Sequence, residues 1–275
     1  MAGTLYLIAT PIGNLEDLSH RATRLLGEVD IIAAEDTRRT RALLGHFGIE
    51  SRKLVSLFEG NEAKRTEQLI ARLAEGATVA VVTDAGTPSV SDPGERLVAA
   101  AAERGISVCA VPGPSAPLVA LVASGLPAAE FRFSGFPPRT QGARQQWLGR
   151  LAAETATMIF FEAPPRVGAT LADMCLVFGQ ARRCVLGREL TKIHEQHVRG
   201  TLAELAERYH QVPPRGECTL VVEGASGEEL EVNVEDELRA LLTSGLGPKQ
   251  AAQRLVVKTG IPRRQLYQLA LSLNE

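Results

Sequence analysis

Three stretches of this chain place small, conformationally special residues, hydroxyls and carboxylates directly after apolar runs: Thr10-Pro-Ile-Gly-Asn14, Asp84-Ala-Gly-Thr-Pro-Ser-Val-Ser-Asp-Pro-Gly94 and Pro112-Gly-Pro-Ser-Ala-Pro117. None has the spacing of a phosphate loop or of a dinucleotide fingerprint, and none contains Lys or Arg, which argues against a phosphate-rich ligand. The pattern fits a ligand held through main-chain groups and apolar contacts, including one that carries positive charge. The middle stretch is longer than the roughly two to six residues of an ordinary strand-to-helix connection. Ligands of open α/β sheets sit beyond the carboxyl ends of the strands, so chemistry is expected there. His194-Glu-Gln-His197 lacks the spacing of a metal-binding pair, and residues three apart on a strand face opposite sides, so no metal is expected. Cys109, Cys175, Cys184 and Cys218 have no C-x-x-C spacing and read as reduced thiols.

Positioning three such loops together requires parallel strands, and the first half of the chain has the pattern. Apolar runs at 4–9, 31–34, 54–57, 78–82 and 107–111 alternate with helical stretches. Leu15, Leu18, Ala22, Leu25, Leu26 and Val29 recur at three- and four-residue steps, predicting one helix face. A helix over 37–47 is stopped by Gly48, and one over 62–75 by Gly76. Asp92 and Pro93 are placed to start a helix as cap and first residue. If the strands are parallel, the three loops share one edge. The pattern shifts around 118–127, and a second alternating region follows with strands at 131–136, 157–161, 183–189 and 217–223 and a capping box at Thr201-Leu-Ala-Glu204.

The 275 residues suffice for two domains and a small appendage; 45% are hydrophobic and 23% charged, as in a folded globular chain. The start lacks a basic leader and no apolar run approaches about 18 residues, so a cytosolic protein without a membrane segment is expected. A net charge of −2 gives no global attraction to nucleic acid, leaving local patches to supply any. Residues 228–237 hold six acids and no base, whereas 245–274 hold Lys249, Arg254, Lys258, Arg263 and Arg264 and no acid. Three short helices with a Gly-Ile-Pro turn at 260–262 resemble a helix-turn-helix.

The run Leu7-Ile-Ala-Thr-Pro-Ile-Gly-Asn-Leu-Glu-Asp-Leu18, then Ala34-Glu-Asp-Thr-Arg38, the loop from Asp84 to Gly94, Pro112-Gly-Pro-Ser-Ala116 and Gly135-Phe136 closely resemble the small-subunit ribosomal RNA methyltransferases of the tetrapyrrole methylase superfamily. The similarity covers nearly the whole chain. It implies a parallel-sheet α/β domain over 1–117, a mixed-sheet α/β domain over 118–227 and a helical tail over 228–275. It further implies a homodimer that binds S-adenosylmethionine, without a metal, and methylates the ribose 2′-oxygen of a cytidine in 16S rRNA of the small ribosomal subunit. By the same resemblance the cofactor meets Pro11, Gly86, Thr87, Val90, Ser115 and Ala116, and in the second domain the stretches around Phe161, Glu189 and Thr219. The chain departs from the family pattern at Glu162-Ala-Pro-Pro-Arg166, where a histidine is usual at the position of Pro165, and at Pro137-Pro-Arg139, where a lysine is usual at the position of Arg139.

Such a transfer needs positioning of donor and acceptor and a group to take the hydroxyl proton. Asp36, Asp84, Glu162 and Glu189 are candidates at strand ends, with Lys192 as an electrostatic stabiliser. Asp36 is also placed to cap a helix, and it is taken as the residue that orients or deprotonates the hydroxyl. Arg38, Arg39 and Arg41, together with Arg139 and Arg144 near Trp147, are the expected RNA contacts beside the basic tail. A corrin-precursor methyltransferase would read Gly-Asp-Pro at Gly86-Thr87-Pro88 and would have no use for a basic tail. A ligand-sensing DNA-binding regulator would show no turnover.

Overall fold

The computed structural model describes residues 2–50, 53–226, 234–259 and 261–273, apart from the side chains of Val257 and Lys258. Part of the acidic run, at 228–233, the turn residue Gly260 and the Lys258 side chain therefore lie outside the described residues. The chain divides into two compact units, Met1–Ala116 and Pro117–Glu275.

The N-terminal unit is built on β1 (Thr4–Ile8), β2 (Ile31–Ala34), β3 (Leu54–Ser56), β4 (Val79–Val82) and β5 (Ser107–Val111), all parallel in the order β3-β2-β4-β1-β5. All four residues of β2 and of β4 are buried, as expected for strands covered on both faces. Alternate residues divide between two layers. Leu5, Ala33, Val79 and Val81 pack on α3 (Glu62–Ala74) and α4 (Glu95–Glu103), whereas Ile8, Ala34, Ala80 and Val82 pack on α1 (His20–Glu28) and α2 (Thr37–His46).

Two expectations fail here for local reasons. The helix expected from Leu15 is split into a 3-10 turn, Leu15–Asp17, capped by Asn14, and α1, capped by Ser19. Leu18 and Ser19 are extended between the two caps, and Leu15 is exposed. Asp92 does not cap α4, whose N-cap is Gly94 at φ 126°. The carboxylate of Glu62, from the start of α3, instead accepts from the Gly94 and Arg96 amides at 3.0 and 3.2 Å.

In the C-terminal unit, β6 (Phe131–Phe133), β7 (Thr157–Glu162), β8 (Arg183–Arg188), β9 (Gln196–Thr201) and β10 (Cys218–Val222) form a mixed sheet ordered β6-β7-β10-β8-β9, in which the β6–β7 pair is parallel. Its core is Met158, Phe160, Leu186 and Leu220 against α6 (Gln141–Gly149), α7 (Val167–Phe178) and α8 (Leu202–Tyr209), the last opened by the expected capping box. Helix α5 (Ala116–Ser124) was not expected as an element, and β9 was anticipated only in the strand placement of His194 to His197, of which it includes Gln196 and His197. Residues 116–124 are apolar on nearly every side, so no helical period shows. The expected strand at 131–136 ends early, with Gly135 at φ 63°. The tail helices α9 (Val234–Thr243), α10 (Pro248–Thr259) and α11 (Arg263–Ser272) share a small core around Leu238, Leu255 and Leu266, and α10 also packs on α6 and α7. All four cysteines are free. Among the described residues no helix is long and apolar enough to cross a membrane.

Candidate functional site

The three special loops leave the carboxyl ends of β1, β4 and β5, and short polar contacts bind them into one edge of the N-terminal unit. Thr10 and Gly86 form an antiparallel bridge, each amide donating to the other's carbonyl at 2.9 and 3.0 Å. The buried Thr10 hydroxyl donates to the Thr83 carbonyl at 3.0 Å, which joins the ends of β1 and β4. Thr87 donates its hydroxyl to the Pro114 carbonyl at 3.0 Å, and this ties the second loop to the third. Gly86 adopts φ 91°, a left-handed conformation that favours glycine, and Ser89 and Ser91 adopt φ 67° and 64° without that advantage. Pro11, Gly86, Thr87, Ser115 and Ala116 are thus brought to one edge, with Ser115 directly before the first residue of α5. Val90 belongs to the same loop, its amide donating to the Thr87 carbonyl at 3.3 Å.

Carboxylates close the neighbouring ends of β2 and β4. The Asp36 amide donates to Asp84 Oδ1 at 3.2 Å and the Asp84 amide to Glu35 Oε2 at 3.1 Å, a reciprocal clasp. Asp36 caps α2, accepting from the Arg38 amide at 2.8 Å and from its guanidinium at 2.9 and 3.3 Å. The Arg38 contacts hold the Asp36 carboxyl down at about 2. A carboxylate that weakly basic is poorly matched to proton abstraction at neutral pH, so capping, not base catalysis, is the role its geometry supports. Asp92, which sequence reasoning spent as a helix cap, is half-buried near Glu35 and Asp84. Burial first, and then the Glu35 charge, push its carboxyl up to about 7 against a hydrogen bond from Thr83. No local signal in the sequence could find this, because burial and Glu35, which comes from the end of β2, act on it only in the folded chain.

A hollow of ≈ 440 Å³ opens beside this edge, lined by residues of the β1 and β4 loops, such as Pro11 and Asp84, and by one side of α2.

In the C-terminal unit, Phe161 and Thr219 are cross-strand partners on β7 and β10. Phe161 meets the rings of Phe133 and Phe136 at 5.0 and 5.4 Å. Glu189 follows β8 at φ 50°, and its carboxylate accepts from the Glu217 amide and from Lys192 Nζ, both at 3.0 Å. Its side chain is therefore committed to shaping the loop. Glu162, a candidate base, is buried and saturated: it accepts from the Ala163 amide at 2.8 Å and from Thr170 at 2.5 Å, and pairs with Arg166 at 3.3 Å. Arg166 in turn donates to the carbonyls of Pro137 and Pro138 at 2.8 and 2.9 Å, a structural use for the Glu162–Arg166 stretch. Arg139, next along that loop, is exposed.

Arg144 is a correction. Expected as an RNA contact, it is 4% exposed and forms an ion pair with Asp173 at 2.6 Å, so its charge is spent inside the unit. Trp147 packs against the same core, edge-on to Phe160 at 5.8 Å. His194 precedes β9, so the argument from strand alternation does not apply to it, while His197 pairs with Glu195 at 2.9 Å. Among the described residues no cluster of three or more His, Cys, Asp or Glu side chains is arranged to hold a metal ion.

Comparison with known proteins matches residues 4–206 to the family model described as Tetrapyrrole (Corrin/Porphyrin) Methylases and residues 228–274 to the RsmI C-terminal HTH domain. The chain is 48% identical to ribosomal RNA small subunit methyltransferase I of Synechocystis sp. over 275 residues, covering 98% of each chain. It is 47% identical to the Xylella fastidiosa enzyme of the same name over 268 residues, covering 96% of this chain and 98% of the other. Among solved structures, uroporphyrin-III C-methyl transferase from Thermus thermophilus, complexed with S-adenyl homocysteine, shares the fold with a TM-score of 0.55 at 21% identity, over 80% of this chain and 97% of the other. A cation-free, three-loop edge on a parallel sheet, followed by a mixed-sheet unit and a basic helical tail, is thus found where two family models and full-length relatives agree: the chain belongs to the tetrapyrrole methylase family, in the branch of ribosomal RNA small subunit methyltransferase I.

Proposed function

We propose that this protein transfers a methyl group from S-adenosylmethionine to the ribose 2′-oxygen of a cytidine in 16S rRNA of the small ribosomal subunit. The observation that carries the reading is the match, along the whole chain, to enzymes that act on small-subunit ribosomal RNA. When bound, the cofactor supplies an electrophilic methyl group on a sulfonium. The N-terminal edge fits such a group: its three loops contain no cation, the carboxylates of Glu35, Asp84 and Asp92 stand near it with Arg39 paired to Asp84, and Gly86 keeps a side chain out of the gap between Ile12 and Pro114. Pro11, Gly86, Thr87, Val90, Ser115 and Ala116 would form that wall, and Phe161, Glu189 and Thr219 the contribution of the second unit.

The acceptor hydroxyl must be held in line and lose its proton. Asp92, held near neutrality, has the titration that work at neutral pH requires, whereas Asp36 serves to fix α2. Arg38, Arg39 and Arg139 are exposed cations available for phosphates. The tail, proposed as a separate module over 228–275, adds Arg263 and Arg264 on the exposed side of α11. A cytoplasmic homodimer completes the reading.

The test is incubation with labelled S-adenosylmethionine and, in parallel, small subunits, naked 16S rRNA and large subunits. Methylation of a ribose 2′-oxygen blocks alkaline cleavage at its own linkage, so label in a hydrolysis-resistant dinucleotide that starts with cytidine is expected from the small subunit. Label on a base, or on no RNA at all, overturns the proposal.

A further inference from the structure

The hollow beside α2 lies at the carboxyl ends of β1, β2 and β4, where helices leave the sheet on opposite faces: α1 and α2 on one, α4 on the other. A crevice of this kind is where open α/β sheets bind ligands. At ≈ 440 Å³ it falls at the small end of the roughly 300–1,000 Å³ typical of ligand pockets. Its lining mixes apolar residues, such as Pro11 and Ala42, with the threonines Thr10 and Thr83, the imidazole of His46 and the carboxylate of Asp84. Both hydroxyls are already used internally, Thr10 on the Thr83 carbonyl at 3.0 Å and Thr83 shared between the Gly86 carbonyl at 3.4 Å and the Asp92 carboxyl, so they hold the shape of the lining.

Charge is arranged from outside inward. Arg39 reaches the hollow from an exposed position, its side chain 69% accessible and paired with Asp84 across 3.3 Å. Arg38 and Arg41 stand exposed on the same helix. An exposed pair of this kind is worth little, so a phosphate can replace Asp84 as the partner of Arg39 and free the carboxylate as a hydrogen-bond acceptor. An exposed arginine beside a lining of apolar and hydrogen-bonding groups matches one nucleotide, with its phosphate on the arginine and its sugar and base in the hollow.

We propose that this hollow receives the target nucleotide of the RNA, turned out of its strand, with its phosphate on Arg39 and its sugar beside Thr10 and Pro11. The proposal rests on the methyl-transfer reading above, which puts Pro11 on the cofactor wall and so brings the sugar next to the donor. Unstacking of the reacting nucleotide is the general solution for enzymes that modify nucleic acid, and single-stranded RNA loops are its easiest substrates.

Ala42 is exposed on α2 and lines the hollow, so Ala42→Trp fills the space without entering the core. The variant is expected to keep the melting temperature and the calorimetric affinity for S-adenosylmethionine of the wild type, while turnover on small subunits falls about 100-fold, the loss expected when a reacting group is displaced by about 1 Å. Arg39→Glu, which cannot disturb the core, should raise KM for small subunits with the cofactor affinity unchanged. A 2-aminopurine placed beside the methylated nucleotide should brighten on binding to the wild type and stay dim with Ala42→Trp. Wild-type turnover by Ala42→Trp, or loss of its cofactor affinity, overturns the nucleotide pocket while methylation by the wild type stands. A wild type that labels no RNA overturns the methyl-transfer reading itself.

Discussion

Replacing Asp92 with asparagine keeps the size and hydrogen-bonding capacity of the side chain and removes a charge that its surroundings disfavour. In the unfolded chain the carboxyl titrates at 3.8, and in the folded protein at about 7. Between those values the folded state binds more protons than the unfolded state, so this group's contribution to stability is complete below about pH 4 and is lost as pH rises through about 7. The full interval corresponds to ~4 kcal/mol at about 1.4 kcal/mol per pH unit. Because the carboxyl is only half-buried and solvent screens the neighbouring Glu35 and Asp84, ~1–2 kcal/mol is the realistic loss. Asp92→Asn should therefore melt about 2–8 °C above the wild type at pH 8, using roughly 2–4 °C per kcal/mol for a chain of this size. At pH 5, where the wild-type carboxyl is largely protonated, the gap should shrink. Thermal melts of both proteins by circular dichroism at the two pH values read this directly. An equal gap at both, or a variant less stable than the wild type at pH 8, would refute the reasoning.

Three further outcomes follow from packing and charge. Asp173→Ala leaves Arg144 buried without its partner and should cost about 3–5 kcal/mol in urea unfolding; a loss below about 1 kcal/mol would mean that the guanidinium reaches water. Gly216→Ala puts a Cβ 2.2 Å from the Glu189 carboxylate at φ 81°, so it should cost about 1–3 kcal/mol by melting, and restoring space with Glu189→Ala should recover much of that. Arg263→Glu combined with Arg264→Glu should weaken binding to small subunits and flatten its salt dependence by roughly 0.7 per lost phosphate contact, with affinity for S-adenosylmethionine unchanged; undiminished subunit binding would remove the tail from the RNA interface.

What could be read from the sequence depended on how far away each residue's partner lies. The strand over 31–34 matches its expected bounds because a buried parallel strand announces itself in consecutive apolar residues, and the half-exposed edge strand over 107–111 matches because its run is broken at once by Pro112-Gly-Pro114. Asp36 was legible as a cap because the amide it serves is two residues away. Asp92 was misread by the same rule, since the cap of α4 comes from Glu62, 32 residues before the Gly94 amide. Arg144 looked like a surface cation because its partner Asp173 lies 29 residues further on. Helix α5 escaped for the opposite reason: a segment apolar on nearly every side carries no period.

The edge proposed for the cofactor was for the same reason easier to anticipate than the hollow proposed for the acceptor. The edge is made by three contiguous loops, each carrying its own Gly, Pro and hydroxyl signature, and their convergence needs only a parallel sheet and two contacts, Thr10 with Gly86 and Thr87 with Pro114. The hollow beside α2 is assembled instead from single residues of two loops and one helix, none unusual where it stands. Its meaning lies in the order of charge, with the exposed Arg39 in its lining and no cation in the three loops beside it. That order is a property of the folded edge, so a substitution that fills the space tests it more sharply than the removal of any one conspicuous side chain.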